Sequence, residues 1–275
     1  MIKRVFSLVW VALSATLVIA GCAQQQRRLK DELAVEPNIA GIAATADYAS
    51  GALGATGGLQ GWAQTKKLQI DCVVTFYQPD SSLYLTEQHL DVYPWSNSVR
   101  VSAREPLGPL VWQLSAGRFS MLQQDPRVDL SRLVVSPRDY TEAVLNLMTA
   151  PALLLDSNVA FVKAPEPVRM EGLWYQPIER VHSFQQQGPS AQSRDSQRAV
   201  VKPYWSKVVY YQNRDSSLVD LIWFTDIEQG KFLLVRGYDY KDSAKSGVLL
   251  ATKIEIFRTD ARAISKERVV KIDLK

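Results

Sequence analysis

A two-residue period, returning again and again after Lys67, limits this chain more than anything else in it. In Ile70-Asp71-Cys72-Val73-Val74-Thr75-Phe76 the residues Ile70, Cys72, Val74 and Phe76 fall on one face, as alternate side chains of a strand do. Pro79-Asp80-Ser81-Ser82 is a turn signal, and a second strand from Leu83 to about Tyr93 completes a hairpin. Short strands follow at Val99–Ala103, Leu110–Leu114 and Arg118–Leu122, parted by Glu105–Pro109 and by Ala116-Gly117. Residues 170–182 read as another, and 205–212, 218–225, 231–239, 248–258 and 269–274 close the chain. Roughly ten or eleven strands in antiparallel succession make a mainly β (α+β) protein. The expected form is one large curved antiparallel sheet or unclosed β-barrel, with helices packed in its concave face.

Two stretches break the period. Residues 47–65 read as a helix with Tyr48, Leu53, Leu59 and Trp62 on a loose apolar face, weakened by Gly51, Gly54, Gly57, Gly58 and Gly61. No strand precedes these glycines and no Gly-Lys-Ser/Thr follows them, so they are not a phosphate loop. Residues 137–163 hold a helix opened by Pro137, carrying Tyr140, Val144, Leu147 and Met148, and a second short helix opened by Pro151. Both are too apolar to lie in water and are expected to cover or plug the sheet. Residues 185–198, rich in Gln and Ser, read as a loop that contributes little to folding.

The amino terminus speaks of location. Lys3 and Arg4 precede an uncharged apolar run from Val5 to Ala20, and Ile19-Ala20-Gly21-Cys22 ends it. The run is short for a membrane span and has the form of a secretory signal. Its end resembles a lipobox, which makes residues 1–21 a lipoprotein signal peptide and Cys22 the lipidated first residue. Residues 22–45 then form a tether and 46–275 the domain. Removing Lys3 and Arg4 from 32 basic residues leaves 30 against 28 acids, and so small and scattered a surplus excludes a nucleic-acid binder. With Cys22 acylated, Cys72 is the only thiol left and no intrachain disulfide is available.

Catalytic chemistry is sparse. His89 and His182 are the only histidines, and no Gly-x-Ser-x-Gly, His-Glu-x-x-His or paired-cysteine spacing occurs. His89 reads as a solvated strand residue, Cys72 as a small buried hydrophobe, and Asp239 and Asp242 as turn residues. The expectation is a non-enzyme without cofactor or metal. On strand 218–225 the set Leu218, Asp220, Ile222 and Phe224 contains a charge, whereas Val219, Leu221 and Trp223 is wholly apolar. Alternation therefore assigns Val219, Leu221 and Trp223 to the concave side, joined from the next strand by Val248, Leu250, Ile254 and Ile256, with Thr252 interrupting the row.

Gly57-Gly58-Leu59-Gln60-Gly61-Trp62 followed by a hairpin, the pair Val99-Arg100, and Trp112 resemble the start of LolA/LolB-like domains. Val235-Arg236-Gly237-Tyr238-Asp239-Tyr240, then Gly247 to Ile256, resemble that superfamily's penultimate hairpin, with Ala251 where the family often has proline. The resemblance covers roughly residues 55–275. It implies an unclosed barrel that binds acyl chains in its cavity, and a tethered acceptor or lipid binder in preference to a soluble shuttle. Ala152–Leu155 is the candidate for the protruding apolar loop of the acceptor type. The expected partners are the membrane through Cys22, a lipid or acyl-chain ligand and other envelope proteins. The expected location is the outer membrane, facing the periplasm. The alternative is a structural or assembly lipoprotein with a fully packed interior.

Overall fold

The computed structural model describes residues 33–35, 47–105, 108–131, 133–156, 159–181, 203–243 and 246–275. The signal and lipidation stretch with Cys22, most of the tether, His182 and the 185–198 loop lie outside them. Two short helices, α1 (Asp47–Ala55) and α2 (Gly58–Gln64), come first. They replace the single helix expected over 47–65. Gly57 breaks it, because its backbone has a φ of 107° and any Cβ there would meet the Gly247 carbonyl oxygen at 2.5 Å.

Strands β1 (Leu68–Tyr77), β2 (Leu83–Tyr93), β3 (Ser98–Glu105), β4 (Gly108–Ser115) and β5 (Arg118–Gln124) form a meander. Helix α3 (Pro137–Leu153) follows, then β6 (Ala160–Lys163), β7 (Val168–Met170), β8 (Leu173–Val181), β9 (Lys207–Asn213), β10 (Val219–Asp226), β11 (Lys231–Asp242), β12 (Leu249–Thr259) and β13 (Ser265–Leu274). They join in one antiparallel sheet ordered β5-β4-β3-β2-β1-β13-β12-β11-β10-β9-β8-β6, with β7 paired to β8. The chain ends beside its first strand, Val74 opposite Ile272, so the two halves meet in mid-sheet and the outer strands β5 and β6 do not pair. The sheet is thus open, as the alternation implied. The short strands β6 and β7 add to the count expected from sequence.

The inner face carries the main core, and α3 lies across it, touching β10, β11 and β12 on one side and β3 and β4 on the other. Ser136 caps the helix by accepting from the Asp139 amide at 3.1 Å, and Pro137 follows at its first position. Pro151 does not start a second helix. It lies in the last turn, where the missing N–H costs one bond and the helix ends two residues later at Leu153. Ala152, Leu153, Leu154 and Leu155 are all buried, so this segment is core and not a protruding loop.

Candidate functional site

The candidate site is the seam between the inner face and its helices, where an acyl chain would have to lie. Leu68, Ile70, Cys72, Val74 and Phe76 from β1 alternate inward and are buried. Register carries apolar rows from Ile70 through Leu90, Val101 and Trp112 on one side, and from Phe76 through Val270, Ile256, Val235 and Ile222 on the other. Burial pushes the Cys72 thiol up to about 12, which leaves it protonated and inert.

Helix α3 is pinned to this face by polar bonds. Tyr140 Oη donates to Gln88 Oε1 at 2.7 Å, Trp112 Nε1 to Thr141 Oγ1 at 2.7 Å, and Tyr210 Oη to Asn146 Oδ1. Each partner is buried, so loss of one member strands the other and these pairs fix the helix position. Burial also lifts the Glu142 carboxyl above its ordinary range, with Arg138 opposing the shift. At the α3 N-terminus Asp139 accepts from Lys231 Nζ at 2.5 Å and from Tyr204 Oη at 2.6 Å, and the ammonium lies 4.4 Å from the Trp205 ring centre. Sequence reasoning missed this cluster, because its members come from three separated elements.

The α1–α2 pair is held differently. The Leu249 amide donates to the Thr56 carbonyl, Gln212 Nε2 to the Tyr48 carbonyl, and Trp95 Nε1 to the Trp62 carbonyl. Trp62 Nε1 bonds Thr56 Oγ1 within the pair itself. Between this pair, α3 and the sheet lies a small cavity lined by Trp62, Met148, Pro151, Val219, Tyr240 and Leu250, of about 20 Å³. That is room for about one water molecule.

The predicted residues divide. Val219, Val248, Leu250, Ile254 and Ile256 all lie in the main core, and Val219 and Leu250 line the small cavity. Leu221 and Trp223 do not face inward. Leu221 is buried in a second cluster on the outer face with Tyr175, Val209, Tyr211 and Leu234, and Trp223 packs against it with Met170 and Phe257. The cause is a bulge at Asp220, where Val219 pairs with Gln212 but Leu221 pairs with Tyr211. One extra residue reverses the alternation, so Ile222 and Phe224 point inward with Val219. Asp220 itself sits by this outer cluster, 3.4 Å from Asn213 Nδ2, and burial pushes its carboxyl up to about 6.

Other expectations resolve simply. His89 is half-exposed on the outer face, 2.7 Å from Asp71 Oδ1. Asp239 and Asp242 lie in β11 and not in a turn. Asp239 takes a φ of 51° in mid-strand, and its carbonyl accepts from Thr252 Oγ1 at 2.7 Å. Of the tryptophans, Trp62, Trp112 and Trp205 are core, whereas Trp174 is 49% exposed. Among the described residues no group of His, Cys, Asp and Glu has a metal-binding arrangement, and no helix is long and apolar enough to cross a membrane.

No family model matches the chain, and no curated protein matches it by sequence. Solved structures similar to it include the following three. A LolA superfamily protein from Nitrosomonas europaea is 11% identical, with 76% of this chain and 84% of that one covered at a TM-score of 0.46. A protein domain from Vibrio parahaemolyticus, described as outer-membrane lipoprotein-sorting, is 9% identical over 75% and 82%, at 0.37. A DUF1329 family protein from Desulfovibrio piger is 11% identical over 88% and 92%, at 0.38. The functional reading below therefore rests on this chain's own residues.

Proposed function

We propose that this chain is a non-enzymatic lipoprotein, anchored at Cys22 to the periplasmic face of the outer membrane, that takes an acyl chain between its inner sheet face and the α1–α2 pair. The observation that carries this is how the hollow is closed. An apolar face runs across both halves of an open sheet, and helices cover it where further strands would have sealed it. The two covers differ in hold: α3 is fixed by buried side-chain pairs, whereas α1 and α2 are short, glycine-rich and joined to the sheet chiefly through backbone groups. Displacing them would expose Val219, Val248, Leu250 and the cavity beside Trp62 without unmaking the sheet. Transport or localisation of lipids or lipoproteins is the process such a site would serve.

A second reading has its own support. The cavity holds about one water molecule and α3 is buried along most of its length, as suits an envelope module with a packed interior.

One paired experiment separates them. The wild-type chain and a Leu250→Trp variant are purified from membranes, and their organic extracts are analysed by mass spectrometry alongside thermal melting. Acyl-chain binding predicts a stoichiometric lipid with wild type that is reduced severalfold in a variant that still melts cooperatively. No lipid in either extract would leave the packed module. Anchoring is read separately: Cys22→Ser should abolish palmitate labelling and the mobility shift of cleavage, and retained label would remove Cys22 from this role.

A further inference from the structure

A groove of about 360 Å³ lies at the sheet rim beside α1, where residues 163–167 and the start of β8 face the β9–β10 turn. Lys163, Gln176, Gln212, Asn213, Arg214 and Ser217 line it, together with Pro165 and Pro167, so it is polar where the seam is apolar. Lys163 and Arg214 are exposed, and neither has an ion-pair partner among the described residues. The nearest acids in sequence, Glu166 and Asp215, do not line the groove, and Glu171 is paired with Arg236. The amide nitrogens of Gln176, Gln212 and Asn213 already donate to Ala164, Tyr48, Ser217 and Asp220. The two unpaired cations are therefore what make the groove a site for a singly or doubly charged oxyanion such as a phosphodiester.

What stands beside the groove narrows the source of that phosphate. Trp174, 49% exposed, shares a strand face with Gln176, and its carbonyl accepts from the Arg214 amide at 2.9 Å. Arg169 lies opposite it on the ladder, and Leu173, 37% exposed, points to the other side of the same hairpin tip. An exposed tryptophan flanked by arginines matches the chemistry of a bilayer interface, where the ring settles at headgroup depth. The groove also sits where the chain from Cys22 arrives. Helix α1 begins at Asp47, the Tyr48 carbonyl accepts from Gln212, and Gln212 lines the groove.

We propose that this groove binds the phosphate of an anionic phospholipid headgroup, with Trp174 seated in the interface beside it, and so sets the domain's orientation on the membrane. The proposal rests on the anchoring reading above. The 25 residues from Cys22 to Asp47 could extend to roughly 80–90 Å, so the anchor alone would not set an orientation. Tethering does raise the effective concentration of bilayer at the groove, and a contact too weak to hold a free protein is then well populated.

The full acylated chain is reconstituted in vesicles of neutral phosphatidylcholine, with or without 30% phosphatidylglycerol, and tryptophan quenching by brominated lipids is recorded. Quenching should exceed that of Trp174→Phe, and the excess should appear only in anionic vesicles. Lys163→Ala combined with Arg214→Ala should weaken the anionic-lipid contact by roughly thirtyfold and remove most of that excess, as expected for two cations near a charged surface. Equal quenching in Trp174→Phe, or an excess untouched by the double substitution, overturns the proposal. Inorganic phosphate is titrated against the same proteins without lipid. If it raises the melting temperature of wild type but not of the double variant, while quenching ignores lipid charge, the groove is a free-phosphate site and the membrane assignment fails. If Cys22 proves to carry no acyl group, vesicles added to the purified chain make the same comparison, so the two ideas fail separately.

Discussion

The two halves of the sheet obey different rules. In β1–β3 the outward residues are mostly polar or charged, Val73, Leu83 and Leu85 being the exceptions, and the outer face is laced with ion pairs: Lys67–Asp91, His89–Asp71 and Lys275–Glu87. In β8–β11 both faces are apolar. Val208, Tyr210, Ile222, Phe224, Leu233 and Val235 fill the inner face, and Tyr175, Val209, Tyr211, Leu221 and Leu234 make a second core outside. Sorting by polarity identifies the inner face of the first half unaided. In the second half it fails, because apolar character no longer marks one side. A buried carboxylate then serves as a false label, since Asp220 belongs with the outer cluster and not with Ile222.

The contrast can be broken in order of effect. Ile222→Arg should abolish cooperative thermal unfolding altogether, because it buries an unpaired charge in the main core at a cost of several kcal/mol, comparable with the stability of a whole domain. A folded Ile222→Arg protein would show that this residue does not face the core. Leu221→Ala should cost about 2–4 kcal/mol by denaturant titration, a core-sized loss although the residue lies on the outer face. A loss below about 0.5 kcal/mol, ordinary for a surface position, would dissolve the second core.

Asp220 adds a pH test to the same cluster. Its folded pKa is raised from 3.8 to about 6, so between those values the folded state binds more protons than the unfolded one. Stability should therefore fall as pH rises from about 4 to above 6, by at most about 3 kcal/mol given roughly 1.4 kcal/mol per pKa unit. Asp220→Asn should flatten that part of the stability–pH curve, and an unchanged slope would assign the dependence to another group. The smallest effect belongs to the first half. Asp71→Asn should shift stability by less than about 0.5 kcal/mol, because the pair with His89 is exposed to solvent and screening leaves it little to contribute. A larger loss would mean that the outer face of β1–β3 is more than a solvated surface.

Much of this protein was determined by sequence alone. The β1–β2 hairpin, the inward row Ile70, Cys72, Val74 and Phe76, the helix beginning at Pro137 and the open antiparallel order all follow from period, turn residues and capping, which are local. Alternation also set Val248, Leu250, Ile254 and Ile256 on the concave side, and all four are buried in the main core. Val219 is there too, but in company with Ile222 and Phe224 and not with Leu221 and Trp223. Tertiary structure decided what depends on a partner strand or a distant element. Whether Leu221 or Ile222 faces inward turns on one inserted residue opposite Tyr211, and nothing in 218–225 reveals that insertion. Pro151 stays helical because most of α3, including Pro151 itself, is buried against the sheet, outweighing one lost hydrogen bond. The groove joining Lys163 to Arg214 exists only because β8 pairs with β9, which brings together residues about fifty positions apart in the chain. Side-chain parity is set locally, but register and juxtaposition are set by packing, and here the boundary between the two runs through β10.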